Sequence, residues 1–190
     1  MITRRHVAAA ALIPLALLAA CTTEETGTPT VTGTTTTIPA VTPSFGAPEV
    51  PDPLDIAAFA ADPCTSLTPP QQAEFGVDDG NERTVENGNK CDYAGGAFVS
   101  VLYSTEKSGL TYLYGLNKDG VWARWETLEV DGYPAVAYVK PASRDACDVA
   151  VGLSDTAYVS VGSVAATGKD PCTQAGEWAK RVMETIKAGQ

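Results

Sequence analysis

The chain has 190 residues, 44% of them apolar and only 19% charged, which is one ordinary domain plus extra segments. Thirteen Lys and Arg face 23 Asp and Glu, a net charge of −10 with a pI near 4.4. A nucleic-acid-backbone binder or a polybasic membrane binder needs a cationic face, so this balance argues against both. The single histidine is His6, and its place in the chain matters for what chemistry is left.

Residues 1–20 read as a lipoprotein signal peptide. Arg4 and Arg5 form a positive start, Val7 to Leu18 is an apolar run of twelve, and Leu18-Ala19-Ala20-Cys21 places small residues before a cysteine. A spanning helix needs about 17–25 apolar residues, so the run is too short, and Pro14 interrupts it. The Leu-Ala-Ala-Cys arrangement resembles a lipobox, which makes Cys21 the expected lipidation site. Each acyl methylene contributes about 0.8 kcal/mol, so two or more chains anchor a protein without a spanning helix. Thr3-Arg4-Arg5 also resembles a twin-arginine start, but disulfides do not form in the reducing compartment where such cargo folds, which favours export as an unfolded chain. Cleavage before Cys21 removes His6 and two arginines, leaving a net charge of −12 that holds the protein off anionic lipid. The expected location is the outer face of the cytoplasmic membrane.

Residues 21–53 read as a disordered stalk. Thr34–Thr37 is a run of four threonines, prolines fall at 29, 39, 43, 48, 51 and 53, and no periodicity appears. As flexible coil, the segment after Cys21 reaches about 30 Å.

Residues 54–190 read as an α+β domain. In chain order, Thr68 to Gly76 is a short helix with Thr68 as cap and Gly76 as stop. Asp78, Asp79, Asn81 and Glu82 form an acidic loop that fails the calcium-loop pattern and reads as solvated. Cys91–Ala94 and Ala97–Tyr103 alternate about Gly95-Gly96, a hairpin signal. Gly109–Lys118 suits a helix through Leu110, Leu113 and Tyr114. Trp122–Val130 and Tyr133–Val139 flank Asp131-Gly132, a second hairpin signal. There Pro134 points its missing donor away from its partner, so its strand lies near an edge or is interrupted on its outer side. Ala146–Leu153 and Thr156–Val164 meet at Ser154-Asp155. At the end, Asp170 is an N-cap and Pro171 a first helical residue. Behind them Ala175, Trp178, Ala179, Val182, Met183 and Ile186 form one apolar stripe. The sum is an antiparallel sheet of about six strands with N-terminal and C-terminal helices packed on it.

The domain has four cysteines, Cys64, Cys91, Cys147 and Cys172, and an even number in an exported segment favours disulfides. No two lie close enough for a C-x-x-C metal pair, so no metal site is expected. Of three connectivities, Cys64–Cys91 with Cys147–Cys172 is preferred. Asp62-Pro63-Cys64-Thr65 recurs as Asp170-Pro171-Cys172-Thr173, and Cys147 shares a strand face with Val149, Val151 and Leu153, the face a helix begun at Cys172 covers.

Without His6 there is no Ser-His-Asp or Cys-His machinery, and no H-E-x-x-H metal site. Bridged cysteines leave no thiolate. Gly162, Gly168 and Lys169 miss the phosphate-loop spacing by one residue. Ser104-Thr105-Glu106-Lys107 matches S-x-x-K but follows a strand and lacks its companion motifs, so a surface turn competes with a Ser104/Lys107 nucleophile. Paired carboxylates for hydrolysis need distances that sequence does not supply. Tyr103, Tyr112, Tyr114, Trp122 and Trp125 crowd into 23 residues. Tyr112, Tyr114, Trp122 and Trp125 are candidates for a binding surface, and the competing reading makes them core.

Asp62-Pro63-Cys64, a second cysteine before a strand, Gly132-Tyr133-Pro134-Ala135-Val136, Cys147 and Asp170-Pro171-Cys172 with a closing helix together resemble a family. It is the actinobacterial lipoprotein family catalogued as domain of unknown function 3558. The likeness covers nearly all of residues 60–188, with Tyr93 where tryptophan is usual. It implies an envelope lipoprotein and carries over no catalytic residue. The strand–helix order is also similar to the Mog1/PsbP-like architecture. The expectation is a non-catalytic binding or accessory module without a cofactor, held at the membrane through Cys21. Its partner would be an envelope protein or small ligand and not nucleic acid. The alternative is a hydrolase-type enzyme.

Overall fold

The computed structural model describes residues 44–105, 108–143, 145–164 and 168–190. The signal segment, His6, Cys21, the stalk as far as residue 43, and Lys107 lie outside the described residues. Seven strands form one antiparallel sheet: β1 (Asn81–Val85), β2 (Gly88–Tyr93), β3 (Phe98–Ser104), β4 (Arg124–Val130), β5 (Tyr133–Val139), β6 (Ala146–Ser154) and β7 (Ala157–Val164). Their order is β1-β2-β3-β7-β6-β5-β4, so β1 and β4 are the edges. The helices are α1 (Ala57–Ala61), α2 (Pro69–Phe75), α3 (Leu110–Lys118) and α4 (Pro171–Ala188), with a 3-10 turn at Pro63–Ser66.

The closing helix forms as its sequence dictates. Asp170 Oδ1 accepts from the Thr173 N–H at 2.9 Å, capping the first turn, and Pro171 occupies a position whose N–H has no helical partner anyway. All six residues of the apolar stripe are buried. They pack on Val149, Val151 and Leu153 of β6 and Val159 and Val161 of β7, with Val99, Val101 and Tyr103 of β3 completing the same core. Cys172 bridges to Cys147 on that sheet face, and Cys64 bridges to Cys91. The first bridge pins α4 to β6, and the second pins the 3-10 turn to β2. Nearby, the Tyr93 hydroxyl donates to the Cys64 carbonyl at 2.9 Å, and the Ser66 and Tyr103 hydroxyls meet at 2.8 Å.

The Asp131-Gly132 hairpin has two loop residues: Val130 pairs with Tyr133, and Asp131 and Gly132 both have positive φ, 53° and 87°. Pro134 pairs with Glu129 on β4, and the β5–β6 ladder starts only at Ala135, so the proline meets no acceptor.

Three sequence expectations change. The sheet has seven strands rather than about six, because Asn81 and Glu82 of the expected acidic loop belong to β1, where every residue is exposed. Gly95-Gly96 does not make a two-residue turn, since Tyr93 pairs with Val99. Instead the loop docks on the end of α2: Gly96 N–H donates to the Gly76 carbonyl at 2.8 Å, and a Cβ on Gly95 would lie 2.5 Å from that oxygen. These glycines serve close backbone approach rather than reversal. Finally, residues 44–53, assigned by composition to the stalk, run against the domain. Val50 is buried and its N–H donates to Asp155 Oδ1 at 3.1 Å, and Leu54 N–H donates to the Leu153 carbonyl at 2.9 Å.

Candidate functional site

Because side chains alternate along strands, the sheet has two faces with different coverage. The first is sealed by α4, α1 and the 3-10 turn. On the second, α3 lays Leu110 and Leu113 over Val136, Tyr138, Ala150 and Tyr158. Tyr112, Tyr114, Trp122 and Trp125 rim this smaller core and are half-buried. Tyr114 meets Trp125 edge to face at 5.1 Å, Trp122 lies over Tyr138 at 4.4 Å, and the Trp122 indole N–H donates to the Leu113 carbonyl at 3.4 Å. The four aromatics are thus brought together, each with one side in the core and another toward solvent.

Beneath α3 lie buried hydroxyls. Tyr138 meets Ser160 Oγ at 3.2 Å. Burial, with help from Asp148 nearby, pushes the Tyr138 hydroxyl well above its ordinary pKa. Tyr158 is raised by burial and partly offset by the neighbouring Ser104 hydroxyl. Ser104 is fully buried, beside the Tyr158 hydroxyl. A serine so placed is out of reach of a substrate, whatever Lys107 does.

Among the described residues, nothing covers the rest of the second face. Cross-strand pairing lines up Asp92, Ser100, Gly162, Asp148 and Tyr138 in one row across β2, β3, β7, β6 and β5. Ser100 and Gly162 are small, so the middle of the row is a hollow of about 220 Å³. Lys90 and Lys140 stand on its two sides. Lys140 Nζ is 3.0 Å from Asp148 Oδ2 and lies over the Tyr138 ring. Lys90 Nζ is 3.1 Å from Asp92 Oδ1, and Asp92, only 7% exposed, also pairs with Arg83. Gly162 makes room for this: a Cβ there would come within 2.9 Å of Asp148 Oδ1. The Lys90 ammonium is pushed below its ordinary pKa by burial first, then by Arg83 and Lys140. At one end Phe98 and Val164 face each other across β3 and β7 and are 41% and 43% exposed.

Asp92 and Asp148 do not form a hydrolytic pair. Three strand spacings put their backbones about 14 Å apart. Each carboxylate is held by its own cations, whereas a glycosidase pair works at roughly 5–10 Å. Among the described residues no three His, Cys, Asp or Glu side chains gather as a metal would need, and no helix is long and apolar enough to cross a membrane.

A family model described as "Protein of unknown function (DUF3558)" matches residues 16–185. The chain belongs to this family. No curated protein and no solved structure matches it. In this DUF3558 chain the match spans both disulfides, all seven strands and most of α4.

Sequence reasoning about the DUF3558 chain missed two groups of residues. Lys90, Ser100, Lys140, Asp148 and Gly162 are polar or small alternates on strands, a pattern shared by any solvated sheet face. Gly80 was also silent: a Cβ there would run into Cys91 Sγ and lie 2.8 Å from Cys64 Sγ and 2.9 Å from Tyr93. A glycine directly ahead of a cysteine-bearing hairpin is the only signal it leaves.

Proposed function

We propose that this DUF3558 chain is a non-catalytic binding or accessory module of the cell envelope, lipidated at Cys21 and displayed outside the cytoplasmic membrane. Two disulfides suit an oxidising compartment, and the signal-like start with its cysteine suits a lipid anchor. The observation that carries the binding role is the asymmetry of the sheet: one face is sealed, and the other carries a half-buried aromatic rim beside an open, charged hollow. Such a face leaves the large apolar side chains of Phe98 and Val164 exposed, and it is built on paired strands, which suits recognition by a preformed surface. The hydrolase alternative draws no support from the buried Ser104 or from the separated carboxylates.

Mild crosslinking of intact envelopes, followed by recovery of the protein and identification of what accompanies it, tests the role. A specific companion whose recovery falls when Trp125→Ala or Lys140→Glu alters the second face is the expected result. The anchor is tested by Cys21→Ser, which should release the protein from the membrane fraction. Protein that stays in the cytoplasm with the four domain cysteines as free thiols would sink the whole reading.

A further inference from the structure

The hollow between Lys90 and Lys140 differs from the remainder of this acidic chain in charge. Among the described residues, Arg83, Lys90 and Lys140 meet Asp92 and Asp148 in the ion pairs around the hollow, one surplus positive charge in a chain of net −10. We propose that this hollow binds a small amphipathic monoanion, an alkyl or aryl carboxylate, with its head between Lys90 and Lys140 and its apolar body along Phe98 and Val164. The inference rests on the reading of the domain as a binding module and names the ligand class of its open face.

The head site is preformed. Each lysine is tied to an aspartate, 3.1 Å for Lys90 and 3.0 Å for Lys140, so neither long side chain must be immobilised anew when a ligand arrives. Asp92 is shared with Arg83, and this sharing creates the surplus. Arg83 and Lys140 also disfavour the charged form of Lys90, so an anion seated between the lysines relieves repulsion already present. Ser100 and Ser143 line the same hollow and supply hydroxyl donors.

The size and charge narrow the class. About 220 Å³ is smaller than the roughly 300–1,000 Å³ of drug-sized sites. One surplus charge suits a carboxylate better than a phosphate dianion, which is usually met by an arginine fork or a cluster of backbone N–H groups. The cross-strand pair Phe98 and Val164, with Ala146 opposite Val164 on β6, adds an apolar shelf at the end of the hollow. A purely polar anion has no use for that shelf.

The test is a nuclear magnetic resonance titration of the full chain carrying Cys21→Ser, purified with both disulfides formed, using octanoate, 1-octanol and octylammonium as probes. Octanoate should shift the backbone amides of Ser100, Asp148 and Gly162 saturably, with 1-octanol at least about tenfold weaker and octylammonium inactive. Lys140→Met should weaken octanoate about tenfold, and Val164→Ser, an exposed position that leaves the fold intact, about fivefold. No saturable shift up to about 10 mM, equal binding of the alcohol, or indifference to both substitutions overturns the site. Shifts at these amides that depend on protein concentration alone overturn it in favour of a self-contact. Octanoate binding beside Tyr112 and Trp125 instead overturns this site while supporting a binding module. Binding here with no companion recovered from envelopes supports the ligand class and counts against a protein partner.

Discussion

Removing either disulfide tests how the domain is held together. The bridges close loops with sequence separations of 27 and 25 residues. In the chain-entropy account each therefore restricts the denatured chain by about 3.5 kcal/mol at 25 °C. The bridges sit in different surroundings: Cys147 and Cys172 lie at the α4–β6 interface, whereas Cys64 and Cys91 join a short 3-10 turn to a strand next to the sheet edge. If the denatured chain dominates, the surroundings matter little. Cys64→Ala/Cys91→Ala and Cys147→Ala/Cys172→Ala should then cost the same within about 1 kcal/mol, each about 3.5 kcal/mol plus about 1 kcal/mol for lost buried sulfur. A domain of this size has about 5–15 kcal/mol in total, so losing both bridges leaves it close to unfolding at ambient temperature. Urea unfolding measures this, with reduced wild type as the control that keeps the sulfur volume. The slope should rise in both variants as the denatured chain expands. A cost below about 1 kcal/mol for either pair, or a several-fold difference between pairs with unchanged slopes, would refute the loop-closure reasoning.

Three further outcomes are expected. Gly80→Ala forces a methyl against the Cys64–Cys91 bridge and the Tyr93 ring and should cost about 1–3 kcal/mol in denaturant unfolding, whereas alanine at Gly176 in α4, where a Cβ would meet nothing within 4 Å, should be neutral or stabilising. Asp170→Ala removes the N-cap of α4 and the partner of Arg124 at 3.0 Å; a loss of about 1 kcal/mol should appear as a lower thermal midpoint. Burial pushes the Tyr93 hydroxyl up to about 12 and raises those of Tyr103, Tyr138 and Tyr158 as well. The unfolded chain ionises its tyrosines near pH 10 while the folded one keeps them neutral, so stability is intact below pH 10 and falls above it. The loss is about 1.4 kcal/mol per pH unit for each tyrosine, and tyrosinate absorbance should rise together with loss of structure in one cooperative step.

The parts of this fold that were legible in the sequence are those decided locally. The α4 stripe needs only a period of 3.6, the Asp170 cap only its neighbours, and the Asp131-Gly132 turn only two residues that accept positive φ. β1 was illegible because Asn81–Val85 is exposed on every residue and shows no alternation; it is a strand because Arg83 and Thr84 have Lys90 and Asn89 to pair with. Gly95 misled for a related reason: its role is set by Gly76, distant in sequence and close in space. The same limit hid the open hollow. Ser100, Gly162 and Asp148 become neighbours only once β3 and β6 are known to flank β7, an ordering that no single strand encodes. The aromatic cluster stood between, since its crowding was visible but its division into wet and dry sides depends on where α3 lies.

The pattern of covalent links also bears on how the chain matures. The first cysteine of the domain joins the second, and the third joins the fourth, so neither closed loop encloses or crosses the other. For a polypeptide threaded through a pore amino end first, an oxidant that couples thiols in order of emergence reaches the native product directly. With that pairing the correct isomer needs no shuffling enzyme, and the first loop can close before the residues of β6 are available to pair.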